Sequence, residues 1–139
     1  MPMSEVSLLF TELLDHAEDL DIQIRWQGNV PIIDVKGDVD KYTCMKLRQT
    51  IHKLLQDGER QIVIRMDNVD YIDSSGLGSL VRGFLSVSRQ NGELAISGAS
   101  PRVRKALAVT GLNSLIPLLD EEAVTLSSFT PEEELPLAA

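Results

Sequence analysis

The sequence predicts an α/β fold built on a small sheet with parallel crossovers. Three observations lead to this prediction. After an opening hairpin, segments with the two-residue period of strands alternate with segments of helical period, as in β-α-β units. Residues 61–66 form a short, β-branched and mostly apolar run, which suits a strand buried on both faces. The length of 139 residues fits one domain and leaves little room for a second.

The first half of the chain is predicted to contain two helices and a hairpin. Apolar residues recur with helical spacing over residues 4–20, and Ser4 would cap that helix. Residues 22–26 alternate as a strand does, Gly28-Asn29 indicates a turn, and residues 30–35 form the returning strand. Residues 37–40 interrupt the alternation of apolar and polar residues that predicts the strand. Residues 43–55 then show the spacing of a helix, which ends near Asp57-Gly58.

The second half alternates strands with helices. Residues 61–66 are predicted as a strand, 67–73 as a loop, and a helix runs from Ser74 or Ser75 to about Arg89. Residues 93–97 form the next strand, and Ser100-Pro101 starts a helix that runs to about Val109. A last strand is expected over residues 124–126. The predicted organisation is an amphipathic N-terminal helix over 1–20, one domain over 21–127, and an acidic, disordered tail over 128–139.

Composition excludes several classes of function. The formal net charge of −8 argues against non-specific binding of nucleic acid or of anionic membranes. One cysteine and two distant histidines leave no metal site, and no cofactor is predicted. No apolar run approaches the roughly 18 residues of a membrane span, and the first residues lack the basic segment of a secretory signal. We therefore expect a cytoplasmic protein with no membrane insertion.

Residues 71–81 read Tyr-Ile-Asp-Ser-Ser-Gly-Leu-Gly-Ser-Leu-Val and indicate the start of a helix. Ser74 and Ser75 both suit the cap position, because a hydroxyl can accept hydrogen bonds from the free amides of the first turn. Asp73 lies favourably at the positive end of the helix dipole. The alternative is that one serine accepts a phosphate, which would change the charge of a docking surface beside Asp70 and Asp73. The residue types in this segment fit both a helix cap and a phosphate acceptor, and a helix cap is the more common role of such residues.

Enzyme motifs are incomplete in this segment and elsewhere. Residues 76–81 lack the third glycine of a dinucleotide fingerprint, no P-loop occurs, and neither serine lies in a Gly-x-Ser-x-Gly elbow. The pair Asp38-x-Asp40 could hold Mg²⁺ for phosphoryl transfer, yet no partner lysine or second acidic pair follows in a matching place. We predict that the protein is not an enzyme.

Three elements in this order resemble the STAS domain, the family of bacterial anti-sigma factor antagonists. They are Gly37-Asp38-Val39-Asp40 with Thr43, then Val69-Asp70-Tyr71-Ile72-Asp73-Ser74-Ser75-Gly76-Leu77-Gly78, then Gly98-Ala99-Ser100-Pro101 with Gly111-Leu112. The resemblance covers about residues 21–127, and Asp-Ser-Ser-Gly-Leu-Gly is its strongest element. It implies a STAS fold, with a small, mixed and mostly parallel sheet of about five strands and helices largely on one face. The N-terminal helix would be an addition to that fold.

The resemblance also implies partner switching. Such antagonists bind an anti-sigma factor that is also a serine/threonine kinase, and so release a sigma factor. The kinase phosphorylates the antagonist, and a PP2C-type serine phosphatase restores it. The acceptor position falls on Ser74, with Ser75 as second choice. The implied partner-binding positions are Asp38, Asp40, Thr43, Asp73, Ser75, Gly76, Leu77 and Gly78, and Leu80 is expected on the same partly apolar surface.

Two further alternatives stay open. Other STAS domains are scaffolds or accessory subunits of signalling or transport complexes and do not act on a sigma factor. The helix predicted over residues 4–20 is expected to pack across the domain, since an apolar stripe at helical spacing usually becomes buried. The alternatives are an arm that binds a partner and a homodimer through Leu9, Leu13 and Leu20.

Overall fold

Five strands form one mixed sheet in residues 20–119, the part of the chain that the computed structural model describes. The strands are β1 Leu20–Gln27, β2 Val30–Val39, β3 Gln61–Ile72, β4 Glu93–Ser97 and β5 Leu118–Leu119. The helices are α1 Cys44–Gln56, α2 Ser74–Arg89 and α3 Pro101–Thr110, and a 3₁₀ turn covers Leu112–Ser114. The sheet order is β1-β2-β3-β4-β5, with β1 antiparallel to β2 and all other neighbours parallel. The predicted mixed, mostly parallel sheet is confirmed.

The three described helices pack on the same face of the sheet. Each helix contributes buried aliphatic side chains to one main core, namely Leu47, Ile51, Leu54 and Leu55 from α1, Leu80 and Val87 from α2, and Val103 and Leu107 from α3. They pack against the inward side chains of β2, β3 and β4. Burying one such side chain contributes about 1.5–3 kcal/mol to folding. A smaller cluster of Val30, Ile32 and Val63 lies on the reverse face. The prediction of helices largely on one face is therefore confirmed.

The hairpin of β1 and β2 follows the prediction closely. Its turn is Gly28-Asn29, and Gly28 has φ +61°, which favours glycine because it has no Cβ. The strands are opposed residue for residue from Leu20 with Gly37 to Gln27 with Val30. This regular antiparallel pairing places Leu20 and Ile22 toward the main core.

Strands β2 and β3 are longer than the sequence predicted. The expected break at residues 37–40 is wrong, because β2 continues to Val39, and the expected loop at 67–73 is wrong, because β3 continues to Ile72. These two extensions pair with each other in parallel, and irregularities in register fall between Asp34 and Lys36 and between Gly37 and Asp38. A bulge interrupts the alternation of apolar and polar residues, so the sequence there resembles a loop.

The helix boundaries agree better with the sequence. Helix α3 begins at Pro101 after Ser100, whose hydroxyl accepts from the amide of Val103 at 3.4 Å. The helix ends at Gly111, which adopts the left-handed conformation with φ +78°. Helix α1 begins at Cys44, one residue later than expected. Cys44 is half-buried within that helix.

Some predictions concern residues that the structure does not describe. Leu20, the last residue of the predicted N-terminal helix, belongs to β1, and the rest of that helix lies outside residues 20–119. The predicted strand at 124–126 and the tail at 128–139 also lie outside. The sequence missed β5, whose two residues pair with Ile96 and Ser97 of β4.

Candidate functional site

The two polar segments singled out in the sequence meet at one edge of the sheet. Strands β2 and β3 run parallel and end level with each other, since Val39 is opposed to Ile72. The loop that leads into α1 therefore lies beside the start of α2. The amide of Asp73 donates to the carbonyl oxygen of Val39 at 3.1 Å and joins the two chain segments. This arrangement follows from the general rule that loops at the carboxyl ends of parallel strands share one edge.

Asp73 is the N-cap of α2 and also contacts the neighbouring loop. Its Oδ1 accepts from the amide of Gly76 at 2.9 Å, and its Oδ2 accepts from the amide of Lys41 at 3.2 Å. The prediction that Ser74 or Ser75 caps the helix is wrong. Asp73 has the extended backbone of a cap residue, with φ −104° and ψ −173°, and the serines are the first two helical residues.

The side chains of both serines therefore take no part in capping the helix. Ser74 and Ser75 are exposed, and neither hydroxyl makes a hydrogen bond to the described chain. Their position in the first turn of α2 places them at the positive end of a 16-residue helix. A phosphorylating enzyme could reach either hydroxyl without first breaking a contact of the fold.

The glycines of the motif serve different purposes. Gly76 is buried, and a Cβ there would fall on the carbonyl oxygen of Val39 and lie 2.7 Å from Cγ1 of Ile72. Gly78 is half-exposed, and a Cβ added to it would have no atom within 4 Å. Leu77 is half-buried against the main core. The expectation that Leu80 belongs to the docking surface is wrong, because Leu80 is fully buried on the inward side of α2.

Asp40 and Thr43 organise the loop between β2 and α1. Oδ1 of Asp40 accepts from the amides of Tyr42 at 2.9 Å and Thr43 at 3.1 Å. The hydroxyl of Thr43 donates to the carbonyl oxygen of Asp38 at 2.6 Å and accepts from the amide of Asp40 at 3.0 Å. Thr43 is only 1% exposed, so a partner could not contact its side chain directly. Asp38, in contrast, is exposed at the end of β2.

The resulting surface is acidic with an apolar border. Four aspartates, Asp38, Asp40, Asp70 and Asp73, lie at or just after the ends of β2 and β3, at the sheet edge where α2 begins. The ammonium of Lys41 lies 4.9 Å from the ring centroid of Tyr42. The sequence did not predict the apolar border. Tyr71 is 48% exposed beside a mostly apolar groove between α2 and α3 that Leu77 and Val109 also line, together with the cationic residues Arg102 and Lys105. The bulged end of β3 explains this omission, since Tyr71 was expected in a loop.

Two classes of site are absent from residues 20–119. No group of three or more His, Cys, Asp or Glu side chains there is placed to hold a metal ion. Within the same range, no helix is long and apolar enough to cross a membrane.

Comparison with known proteins identifies the family. The STAS domain profile matches residues 21–124. The chain belongs to the STAS domain family. It is 34% identical over 98 residues to the anti-sigma-B factor antagonist of Staphylococcus aureus, a match that covers 70% of this chain and 91% of the relative.

Solved structures show the same fold. An anti-sigma factor antagonist from Mycobacterium paratuberculosis superposes with a TM-score of 0.66 at 24% identity, over 78% of this chain and 89% of that one. The Bacillus cell fate determinant SpoIIAA in its phosphorylated form superposes with a TM-score of 0.59 at 20% identity, over 86% of this chain and all of that one. The STAS fold implied by the sequence motifs is thus confirmed. The curated relatives are regulators rather than enzymes, in agreement with the prediction of no enzymatic activity.

Proposed function

We propose that this STAS protein is an anti-sigma factor antagonist that phosphorylation of Ser74 switches off. In its unphosphorylated form it binds an anti-sigma factor that is a serine/threonine kinase, and so releases a sigma factor in the cytoplasm. A PP2C-type phosphatase reverses the modification. The observation that carries the proposal is the exposed Ser74 hydroxyl, which has no hydrogen bond to the described chain, at the start of α2 within an acidic surface.

The local contacts support a switch that acts on the surface and not on the fold. Asp73 already satisfies the Gly76 amide, so Ser74 is not needed to begin the helix. A phosphate would add between about 1.5 and 2 negative charges beside Asp70 and Asp73. A partner that accommodates the unmodified surface would then face both repulsion and the desolvation of the new charge. The helix N-terminus would meanwhile tolerate the phosphate.

The neighbouring loop supplies the other part of the proposed docking surface. Asp38 would contact the partner directly, because it is exposed. Asp40 and Thr43 would contribute chiefly by holding that loop, since their side chains bond to its main chain. Asp73 would fix the loop relative to α2 through its bond to Lys41. Ser75, Leu77 and Gly78 complete the proposed surface on the helix side. Gly76 is buried and would contribute by allowing α2 to pack closely against β2.

Partner capture and phosphopeptide mapping test this proposal together. Immobilised wild type, Ser74→Ala and Ser74→Asp are incubated with lysate of the native host, and bound proteins are identified by mass spectrometry. We expect wild type and Ser74→Ala to retain a kinase-like anti-sigma factor and Ser74→Asp to lose it. Equal retention by Ser74→Asp, with an unchanged circular dichroism spectrum, would contradict the proposed switch.

The same lysate with labelled ATP locates the acceptor. Trypsin releases residues 66–82 as one peptide, which contains Ser74, Ser75 and Ser79. Fragmentation of this peptide should place the phosphate on Ser74, and Ser75→Ala serves as the matched control that keeps the label. Label at the wild-type level in Ser74→Ala would move the acceptor to another residue. Transport or scaffold proteins held equally by all variants would instead support an accessory role.

A further inference from the structure

Strand β1 forms an open edge of the sheet. It pairs with β2 on one side, and the described residues place no strand on the other. In an antiparallel pair, every second residue directs its N–H and C=O groups away from the partner strand. The eight residues of β1 therefore present a row of main-chain donors and acceptors to the outside. Such a row is a template for pairing with another strand.

The side chains of β1 add an unusual apolar stripe to this edge. Leu20 is buried and Ile22 half-buried in the main core, whereas every residue from Gln23 to Gln27 is exposed. Because side chains alternate along a strand, Ile24 and Trp26 continue the face of Leu20 and Ile22. Ile24 is 41% and Trp26 56% exposed. Tryptophan is enriched at protein interfaces, so this edge has the composition of a contact surface.

Two devices that protect edge strands, proline and a β-bulge, are missing from β1. The strand contains no proline and no lysine, and its pairing with β2 runs without a bulge. Its charged residues, Asp21 and Arg25, lie on the face opposite Trp26. Arg25 is already paired there with Asp34 at 3.3 Å. The ammonium of Lys46 donates to the main-chain carbonyl oxygen of Leu20 at 2.6 Å, so a second strand would pair with the part of β1 that follows Leu20.

We propose that β1 pairs antiparallel with β1 of a second copy of this chain, about a two-fold axis at Gln23. This register places Asp21 opposite Arg25 of the other copy, Ile22 opposite Ile24 and Leu20 opposite Trp26. Opposite charges and apolar pairs directly across a ladder stabilise it, each by about 0.2–1 kcal/mol.

Neighbouring registers are less favourable. An axis at Ile24 opposes Gln23 with Arg25 and forms no ion pair. An axis at Arg25 brings two guanidinium groups face to face, which is destabilising. A second copy is the favoured occupant because the charges of this single strand complement themselves in the Gln23 register. The dimer does not depend on the proposed function of Ser74.

Cysteine crosslinking tests the register. Gln23→Cys places two thiols at the axis, within the Cα separation of about 7 Å that a disulfide allows. Gln27→Cys is the matched control on the same face, where the two thiols would lie about 27 Å apart at ~3.4 Å per residue. Under mild oxidation we expect dimers of Gln23→Cys only, and wild type controls for Cys44. Equal crosslinking of both variants, or none of Gln23→Cys, would overturn the proposal.

Sedimentation equilibrium tests the interface itself. Wild type should reach twice the 15.3 kDa mass of the chain as concentration rises. The double variant Ile24→Lys, Trp26→Lys should raise the dimer dissociation constant at least about tenfold, since it adds charge to an apolar contact. Both side chains are exposed, so the fold should persist by circular dichroism. Val109→Lys, at a 78% exposed position on α3, should leave dimerisation unchanged. A wild type that stays monomeric, or a double variant that dimerises equally, would refute the dimer.

Discussion

The carboxylate of Asp73 and the main-chain amide of Lys41 are 3.2 Å apart, although 32 residues separate them along the chain. Through this bond and the Gly76 amide, one side chain both begins α2 and holds the loop before α1. The proposed acceptor, Ser74, directly follows this residue. The geometry of the proposed docking surface therefore depends on Asp73 more than on either serine.

Replacing Asp73 should weaken the fold. Asp73→Ala leaves the Gly76 and Lys41 amides without their acceptor, and loss of an N-cap costs about 0.5–2 kcal/mol. Asp73→Asn is the matched control, because its single amide oxygen can still cap the helix. We expect urea unfolding to rank wild type, Asp73→Asn and Asp73→Ala in decreasing stability. Equal midpoints for wild type and Asp73→Ala would show that the cap contributes nothing.

The two motif glycines should respond oppositely to alanine. Gly76→Ala forces a methyl group against Val39 and Ile72, and such overpacking costs about 1–3 kcal/mol. Gly78→Ala meets no atom and should stabilise by about 0.4–1 kcal/mol, since alanine restricts the unfolded chain. Denaturant unfolding of both variants measures the difference. Similar values for the two variants would contradict the close packing at Gly76.

The buried hydroxyl of Thr43 should matter for stability. Thr43→Val keeps the shape but leaves the carbonyl of Asp38 and the amide of Asp40 without their partner, at a cost of about 1–3 kcal/mol. Thr43→Ser retains the hydroxyl and should lose less. Unfolding free energies from urea titration measure both. A Thr43→Val variant as stable as wild type would mean that water replaces the hydroxyl.

Removing the hydroxyl of Ser74 should leave stability nearly unchanged. Ser74→Ala breaks no hydrogen bond of the described chain, and such surface changes stay within about 0.5 kcal/mol. If Ser74 were the helix cap, the loss would instead approach that of Asp73→Ala. Comparing the two variants in one urea series therefore separates a structural serine from one that is free for modification.

The sequence predicted the elements that obey a single local rule. Ser100, Pro101 and Gly111 bracket α3 because cap, proline and left-handed glycine each act within a few residues. The sequence did not predict the ends of β2 and β3, because these ends stabilise each other by pairing across a bulged parallel ladder. The two strands are far apart along the chain, so no short stretch of sequence contains both. β5 is too short to produce a period.

The candidate site was predicted as a location but not in its detailed roles. The Asp-Ser-Ser-Gly motif drew attention to the start of α2, yet the sequence predicted the cap at Ser74 or Ser75 and not at Asp73. The backbone angles of Asp73 and its bond from the Gly76 amide identify it as the cap. Likewise, the family resemblance placed Thr43 among the partner-binding positions, and its burial depends on the fold of the loop around it.

Trp26 is the only tryptophan in the chain, and it lies on the open strand edge rather than in the core. Tryptophan emission from this protein therefore reports almost entirely on the environment of β1. An indole in contact with water emits at longer wavelength than one shielded from water. Any molecule that binds at this edge should therefore shift the emission of Trp26 to shorter wavelength, and this shift can be followed without adding a label. For the same reason, a small change in this emission during denaturation would understate the loss of the helical core.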